Sequence, residues 1–414
     1  MKLLKPFRGL RPTRELAEKV ASHPYDVLNR QEAKELARGN PFSFFHINKP
    51  EIDLPDSIDL HDEQVYEKGA ENLKKFISDG VLVRDPEEKF YVYKQVMGGH
   101  EQVGLVAVAS VEAYEQNLIK KHEFTRPEKE DDRVHHMAAL GAQVGPVFLT
   151  YRANPAIDKL IAKATSSTPE YDFIAEDATR HIFWVVEDIG LAADLETAFA
   201  AVDCLYVADG HHRSAAASRV RNLYQKRNPD HSGDESYNWF LVVVFPDQQM
   251  QILDYNRVIQ DLNGLDKTSF LEKAAVNFQV TELAGIEDAR PGETGHFSLY
   301  LEGRWYSLVA RQSILTNDPV KSLDVSLLQD CLLEPVLGIG DPRRDSRIDF
   351  VGGIRGLAEL EKRVDTGDWA LAIALYPTSI ESLMAIADVG DVMPPKSTWF
   401  EPKLRSGLVI HVLD

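Results

Sequence analysis

Cysteine and long apolar segments are both scarce in this sequence. Cys204 and Cys331 are the only cysteines among 414 residues, and no Cys-x-x-Cys pair occurs. A disulfide framework and a structural zinc ribbon are therefore excluded. The longest apolar runs, such as residues 369–376, are too short to span a membrane, and residues 1–12 lack the apolar stretch of a signal peptide. We expect a cytoplasmic protein that does not associate with membranes.

Positive charge is also in deficit. The chain has 46 Lys and Arg against 65 Asp and Glu, and its formal net charge is −19. Such a surface repels nucleic acids on average, so nucleic-acid binding is disfavoured, whereas a local basic pocket for a small anion is not excluded. Hydrophobic residues make up 44% of the chain, which is typical of a folded globular protein.

The order of segments predicts an α/β or mixed α+β protein. Strand-like and helix-like segments alternate along the chain without an internal repeat. Residues 90–108 predict a hairpin with a turn at residues 97–100. The length suggests two or three domains at roughly 150 residues each, and we expect a boundary in the polar stretch near residue 230.

The segment from Cys204 to Ala217 carries the strongest local signal. Residues 204–208 predict a buried strand, Asp209 and Gly210 predict a turn, and a helix follows through Tyr224. Glycine permits backbone conformations that strain other residues and lets a ligand approach the chain closely. A helix N-terminus offers unpaired N–H groups and a partial positive charge, so this turn predicts a phosphate-binding site.

The first residues of that helix strengthen this interpretation. His211, His212 and Arg213 place three basic side chains where cations oppose the helix dipole, and Ser214 follows them. An external anion or a carboxylate would offset this arrangement, and the Arg213 fork can bind two phosphate oxygens. The alternative is a plain Asp-Gly turn with surface histidines. We favour an anion site.

A second group of titratable side chains surrounds the helix predicted from about Glu128 to Val144. Its members are His122, Glu123, Thr125, Asp131, Asp132, Arg133, His135 and His136. On a helix, the carboxylates at 131 and 132 face the imidazoles at 135 and 136, so they form either metal-ligand pairs or ordinary salt bridges. The zinc-protease spacing is absent. We favour salt bridges on a solvated face and assign no metal.

A late loop resembles a Walker A phosphate-binding loop only superficially. Pro395 stands where that loop needs a glycine, and proline has no N–H to offer a phosphate. The loop nevertheless concentrates positive and hydroxyl groups in an acidic chain: Lys396, Ser397, Thr398, Lys403 and Arg405. A solvated loop and a substrate-binding loop are both compatible with this composition.

Five segments together resemble the domain-of-unknown-function family numbered 1015. They are Lys5 to Pro12, His23 to Val27, Gly145 to Leu149, Ala208 to Arg213 and Met393 to Phe400. The resemblance covers essentially the whole chain, and we identify the chain as a member of this family. Membership of this family does not by itself imply a reaction.

A more distant resemblance implies chemistry. Residues 207–213 are similar to a segment of ADP-dependent free serine kinases, in which a ParB/sulfiredoxin-like fold holds nucleotide phosphates at this helix start. Residues 394–398 look like a second matching segment. Asp26 is the counterpart of the kinase's catalytic glutamate, although it is one methylene shorter. Trp399 and Phe400 depart from the kinase pattern, which puts the substrate in doubt.

The two resemblances imply a nucleotide-dependent phosphotransferase that uses ADP or ATP with Mg²⁺. Free L-serine is the first candidate among small hydroxyl metabolites. Residues 210–214 would hold phosphates, Asp26 or Asp209 would accept the hydroxyl proton, and Lys396, Ser397, Thr398 and Arg405 would line the acceptor pocket. His122, Glu123, Thr125 and Arg133 would complete the site. The implied organisation is a ParB/sulfiredoxin-like core over 1–230, with an insertion at about 50–200, and a C-terminal α/β domain over 231–414.

Two other functions remain open at this point. One is a non-catalytic nucleotide or metabolite sensor of ParB-like type. The other is a metal-dependent hydrolase built on His122, Glu123, Asp132 and His136. The sequence does not specify the oligomeric state.

Overall fold

The computed structural model describes residues 2–414, and the chain forms two compact units. The first unit runs to Met250 and resumes at Pro402, and the second covers residues 251–401. The boundary that we expected near residue 230 therefore falls inside the first unit, because the strand that follows it joins that unit's sheet. Among residues 2–414, no helix is both long and apolar enough to cross a membrane.

The regular elements alternate along the chain. The strands are β1 Leu4–Lys5, β2 Leu10–Pro12, β3 Leu82–Arg84, β4 Tyr91–Met97, β5 His100–Ser110, β6 Ile119–Lys120, β7 Ala142–Gln143, β8 Val147–Tyr151, β9 Tyr171–Ile174, β10 Arg180–Val185, β11 Leu205–Asp209, β12 Trp239–Pro246, β13 Gln251–Leu253, β14 Tyr255–Ile259, β15 Phe278–Glu282, β16 His296–Leu301, β17 Arg304–Ala310, β18 Ile348–Gly352, β19 Leu371–Leu375, β20 Trp399–Glu401 and β21 His411–Val412. The α-helices are α1 Ala17–Val20, α2 Arg30–Leu36, α3 Phe45–Asn48, α4 Glu63–Ser78, α5 Val111–Glu115, α6 Pro127–Leu140, α7 Pro155–Ala164, α8 Ile189–Ala200, α9 His211–Arg227, α10 Lys267–Asn277, α11 Asp324–Leu328, α12 Leu357–Asp365 and α13 Ile380–Asp388.

A large mixed sheet organises the first unit. Its strand order is β6-β11-β8-β12-β5-β4-β10-β9, with β1 paired to β5. The pairs β6–β11 and β8–β12 are parallel, and the other pairs are antiparallel. The region from about 50 to 200, which we expected to be an insertion, supplies β4, β5, β6, β8, β9 and β10 to this sheet. It is therefore continuous with the sheet that carries the Gly210 turn.

Local sequence accounts for the elements nearest the site. The predicted hairpin forms as β4 and β5, and Gly98 adopts the positive φ that its tight turn needs. Helix α6 begins with a proline at its first position and ends at Gly141, which is left-handed. Helices α6 and α9 pack against each other. Ala216 and Ala217 are buried, so α9 lies close to the sheet as predicted.

The second unit contains an antiparallel sheet. Its strand order is β15-β17-β16-β19-β14-β18, and β13 pairs separately with β20. A buried cluster that includes Val258, Trp305, Leu360 and Ala372 forms a core between this sheet and helix α12. The protein is thus a mixed α/β structure with one large mixed sheet and one antiparallel sheet, as the alternation of segments predicted.

Asp324, in the second unit, leads to a prediction about stability. Its Oδ1 accepts a hydrogen bond of 2.7 Å from the Gly295 N–H, and its Oδ2 is buried without a partner. Burial raises the pKa of this carboxyl from 3.8 to about 7, although the Gly295 N–H acts in the opposite direction. The folded state therefore binds a proton that the unfolded state has released between these two pH values. This group lowers the free energy of unfolding as the pH rises through that window.

Asp324→Asn is expected to remove this penalty. Asparagine keeps the acceptor for Gly295 and carries no charge at any pH. Relative to the variant, the wild-type protein should lose up to ~1.4 kcal/mol of stability for each pH unit across the window. Urea unfolding at pH 4, 6 and 8 measures this difference. Asp330→Asn, on the exposed part of the same segment, is the control, and an equal pH dependence in both variants would refute the assignment.

Candidate functional site

The Gly210 turn has the geometry of an anion site. Strand β11 ends at Asp209, Gly210 has φ 101° and ψ 29°, and α9 begins at His211 without a side-chain cap. A Cβ at position 210 would lie 3.1 Å from Nε of Arg213. The residue that precedes the first N–H groups of this long helix is therefore in a conformation that favours glycine. This geometry confirms the predicted strand, turn and helix. The N–H groups at the start of the helix remain available to a ligand that accepts hydrogen bonds.

The histidines of this turn are not the cations that the sequence suggested. Burial lowers the pKa of His211 well below its ordinary value and also lowers the pKa of His212. Nε2 of His212 accepts a 3.1 Å hydrogen bond from the Arg126 N–H, which requires an unprotonated nitrogen. The argument from three adjacent cations is therefore wrong, because burial favours the neutral form of both histidines. The case for an anion site rests on the uncapped helix start.

Arg213 and Asp209 are partly engaged within the protein. The Arg213 guanidinium donates to the Pro146 carbonyl and lies 3.9 Å from Oδ2 of Asp209, while its Nε is buried without a partner. Asp209 also lies 3.3 Å from Nζ of Lys403. Burial alone would raise the pKa of Asp209, but Lys403 and Arg213 hold it well below its ordinary value. Asp209 is therefore better suited to orienting cations than to accepting a proton.

Lys403→Met is expected to destabilise the first unit by about 1–3 kcal/mol. The substitution leaves Asp209 with Arg213 as its remaining cation. The folded state is then less stable, because the desolvation of a partly buried carboxylate is no longer offset by its lost partner. Chemical denaturation of the full-length protein at pH 7 measures the change. Lys94→Met is the control, because the pair of Lys94 with Glu101 is more exposed and should contribute under about 1 kcal/mol. Equal losses in the two variants would contradict this assignment.

A cavity of about 300 Å³ in the first unit contains Asp26 and Arg133 in its wall. A smaller cavity of about 30 Å³ shares Tyr25, Arg133 and His136 with it and extends to Arg213. Residues of the N-terminal segment and of helix α6 thus line both cavities, and the smaller cavity reaches Arg213 in the first turn of helix α9. The sequence did not predict that Tyr25 and His136 line these cavities, because only the fold brings their segments together.

Asp26 and Arg133 supply opposite charges to the wall of the larger cavity. Asp26 is exposed and interacts electrostatically with Arg133 and with His212. The Arg133 guanidinium lies 3.7 Å from the ring centroid of Tyr25, and its Nε donates to Oδ2 of Asp132 at 2.8 Å. Two fixed partners therefore hold one cation in the cavity wall, near an exposed carboxylate. Asp26 and the Gly210 turn, which are far apart in sequence, belong to one neighbourhood.

The second titratable group divides into different roles. Asp131 lies 2.6 Å from Arg219, and Asp132 pairs with Arg133 and accepts from the Tyr66 hydroxyl. Nε2 of His136 lies 3.0 Å from the Ile47 carbonyl oxygen. The carboxylates of helix α6 therefore form salt bridges with Arg219 and Arg133 and not the expected i,i+4 pairs with His135 and His136, and the face is not fully solvated because His136 is buried. Asp132 and His136 are not gathered with His122 and Glu123, so the four-residue metal site imagined for a hydrolase is not formed.

Other residues expected in the site have different surroundings. Arg405 is buried in the first unit, where its guanidinium bonds to His181, Glu176 and Asp177 at 3.3, 3.3 and 2.9 Å. Its donors are already used, so it does not serve as a free acceptor-binding group. The Thr125 hydroxyl donates to Glu130.

The late loop segment expected to bind the acceptor belongs to the second unit. There Nζ of Lys396 lies 5.4 Å from the Tyr255 ring centroid, and the Ser397 hydroxyl donates to Pro394 at 2.6 Å. Thr398 directly precedes β20. The role of these three residues in acceptor binding stays a prediction from the resemblance.

The family of the chain follows from comparison with family models. The model described as "Protein of unknown function (DUF1015)" matches residues 4–326. The chain belongs to this family. The membership inferred from five sequence segments is thereby confirmed. A comparison with curated proteins gives no match for this DUF1015 protein.

Three solved structures show distant similarity to this DUF1015 protein. A conserved hypothetical protein from Pyrococcus furiosus is 13% identical, with 73% of this chain and 95% of that chain covered and a TM-score of 0.35. Free serine kinase in complex with AMP is 12% identical, with 73% and 92% covered and a TM-score of 0.36. SbnI with C-terminal truncation from Staphylococcus aureus is 10% identical, with 72% and 84% covered and a TM-score of 0.38. Sequence identities and TM-scores this low do not support any functional argument for this chain.

Proposed function

We propose that this protein is a nucleotide-dependent phosphotransferase acting on a small hydroxyl-bearing metabolite, with free L-serine as the first candidate. The observation that carries the proposal is the uncapped start of helix α9 at Gly210, beside a small cavity lined by Arg133 and Arg213 that shares Arg133 with a larger cavity lined by Asp26. The similarity of residues 207–213 and 394–398 to segments of ADP-dependent free serine kinases adds a phosphate donor and an acceptor class. A ParB/sulfiredoxin-like core belongs to the same proposal.

The residues at the turn fit the phosphates of ADP or ATP. The open helix start offers backbone N–H groups, and Nε of Arg213 is a buried donor without a partner. Buried groups of this kind favour a ligand that bonds to them. Gly210, His211, His212, Arg213 and Ser214 would thus form the phosphate-binding segment.

Magnesium would reduce the repulsion between phosphate oxygens and incoming groups when the nucleotide is bound. It prefers oxygen ligands and usually binds through the phosphates themselves and one or two carboxylates. Asp209 fits this role poorly because Lys403 and Arg213 already engage it. The nucleotide and water would therefore supply most of the magnesium ligands.

The cavity residues suit the acceptor half of the reaction. Asp26 is an exposed carboxylate that would accept the proton of the attacking hydroxyl. Arg133, fixed on the Tyr25 ring and by Asp132, would bind a carboxylate of the acceptor. An amino acid with a hydroxyl side chain carries both groups. Lys396, Ser397 and Thr398 stay acceptor-binding candidates from the sequence resemblance alone.

Phosphate transfer to separate acceptors tests this function. The full-length protein is incubated with ATP or ADP, MgCl₂ and one hydroxyl compound at a time, and products are followed by ³¹P NMR and mass spectrometry. L-Serine should give O-phosphoserine, with L-homoserine and glycerol as comparison acceptors. Nucleotide binding without transfer to any hydroxyl acceptor would refute the phosphotransferase.

A nucleotide sensor is the second candidate, and one observation favours it. Of the two acids considered as a base, Asp209 is ion-paired and Asp26 is exposed, so neither lies in the apolar setting that strengthens a carboxylate base. A sensor would bind nucleotide tightly without turnover. Asp26→Ala would then leave the nucleotide affinity nearly unchanged.

A further inference from the structure

Two buried imidazoles and a carboxylate meet at one edge of the mixed sheet. Strands β6 and β11 are parallel neighbours, so their C-terminal ends lie at the same edge. His122 and Glu123 follow β6, and His211 follows β11. One potential ligand atom from each of these three side chains lies within 4.8 Å of the other two. The parallel pairing thus explains how residues far apart in sequence come together.

The side chains of His122, Glu123 and His211 lie close to one another without forming hydrogen bonds among themselves. The rings of His122 and His211 pack edge to face with centroids 4.4 Å apart. Nδ1 of His211 lies 4.0 Å from Oε2 of Glu123, which is longer than a hydrogen bond. The ammonium of Lys121, the adjacent cation, lies 4.3 Å from the Tyr114 ring centroid and also interacts electrostatically with His211.

The imidazoles are buried with nitrogen atoms left unsatisfied. His122 is 2% exposed and His211 is 5% exposed. Neither ring nitrogen of His122 meets hydrogen-bond geometry, and Nε2 of His211 has no partner. The Val207 backbone lies near the His122 ring without completing a hydrogen bond to it. An unprotonated imidazole nitrogen is the group that ligates a metal.

Leaving such nitrogens unbonded is costly. A buried polar group without a partner costs about 1–3 kcal/mol, so native proteins rarely contain several together unless a ligand satisfies them. Two neutral imidazoles and one carboxylate form a donor set typical of zinc, iron, cobalt and manganese sites. Magnesium and calcium prefer sites made of oxygen atoms.

We propose that His122, Glu123 and His211 bind one divalent transition-metal ion at the edge of the Gly210 turn. In a four-coordinate site with bonds of ~2.0–2.1 Å, ligand atoms lie roughly 3.3–3.5 Å apart, so the three ligand atoms would approach one another by at most about 1.5 Å on binding. Three protein ligands leave at least one position open for water or an anion. This site does not depend on the proposed phosphotransferase.

Metal titration without nucleotide tests the proposal. The full-length protein is stripped with EDTA, dialysed, and titrated with Co²⁺ by visible absorption and with Zn²⁺ by calorimetry, alongside Mg²⁺. One Co²⁺ per chain should give d–d bands that Zn²⁺ abolishes, and Mg²⁺ should not compete at equal concentration. Binding of less than half an equivalent of both Co²⁺ and Zn²⁺ would overturn the proposal.

Variants locate the bound ion. Loss of an outer partner of a metal ligand costs about 10–100-fold in affinity, so loss of a ligand in Glu123→Gln or His211→Ala should cost at least ~100-fold. His231→Gln is the matched control, because His231 also lies beside a glutamate, Glu235, at 3.0 Å. Circular dichroism verifies folding. If His211→Ala fails to fold, Glu123→Gln decides the test, since its side chain is 38% exposed.

The outcomes separate this site from the phosphotransferase. Unchanged Co²⁺ affinity in Glu123→Gln would overturn the metal site, as would an equal loss in His231→Gln. A protein that binds one Co²⁺ through these residues but transfers no phosphate retains the metal site and loses the proposed reaction. A protein that transfers phosphate but binds neither Co²⁺ nor Zn²⁺ shows the reverse.

Discussion

Gly210→Ala is expected to weaken the binding of ADP by roughly 10–100-fold, which corresponds to ~1.4–2.8 kcal/mol. Gly210 has φ 101°, and an alanine there would be strained by the left-handed backbone conformation. Its Cβ would also lie 3.1 Å from Nε and 3.2 Å from Cζ of Arg213, whose guanidinium is held by Pro146. The helix start, or Arg213, must therefore move. Isothermal titration calorimetry with ADP measures the loss.

Gly233→Ala provides a matched control for this experiment. Gly233 also has φ 101°, but a Cβ at that position would meet no atom within 4 Å. Both variants place alanine in a strained left-handed conformation, but only Gly210→Ala also brings a Cβ close to the Arg213 side chain. The control should lose some thermal stability and keep its affinity for ADP. Equal affinity losses in both variants, or wild-type affinity in Gly210→Ala, would contradict a phosphate site at this turn.

Asp26→Asn is expected to reduce phosphate transfer by about 100–10,000-fold, the contribution typical of a general base. The amide keeps the size of the side chain but does not accept the hydroxyl proton. Affinity for ADP should change little, because the phosphates would bind at the Gly210 turn. Initial rates with the acceptor identified by product analysis, together with calorimetric ADP titrations, separate the two effects.

Glu128→Gln is the control for the removal of a negative charge. Glu128 is exposed and lines the same cavity as Asp26. If charge alone mattered, both variants would lose similar activity. A turnover number in Asp26→Asn within tenfold of the wild type would exclude Asp26 as the base. A large loss of ADP affinity in that variant would instead indicate a binding role.

Local sequence was sufficient for the elements that carry the site. An apolar run followed by Asp209 and Gly210 predicted strand β11 and its turn, because the left-handed φ at that point favours glycine. Alanines predicted the close packing of helix α9. The hairpin of β4 and β5 was also predicted, since alternation and a glycine turn depend on near neighbours. The boundary near residue 230 was less accessible, because strand β12 resembles any other apolar run until its partners are known.

Charge states required the tertiary structure. The sequence suggested three cations at the start of helix α9, whereas burial leaves His211 and His212 neutral. Lys403 looked like one of several basic residues in a loop, and only the fold shows its pairing with Asp209. Arg405 looked equally available and is instead buried among acidic residues. Desolvation and pairing depend on residues distant in the chain, and no local pattern encodes them.

The sequence by itself determined the family, the mixed α/β class and the strand–turn–helix at Gly210, because these follow from long motifs, segment alternation and the conformational freedom of one glycine. The tertiary structure alone decided which side chains share that turn. Parallel pairing of β6 with β11 brings His122 to His211, and packing of α6 on α9 brings the Arg133 cavity beside the helix start. These proximities join residues distant in sequence, so they are set by long-range packing and not by local preference.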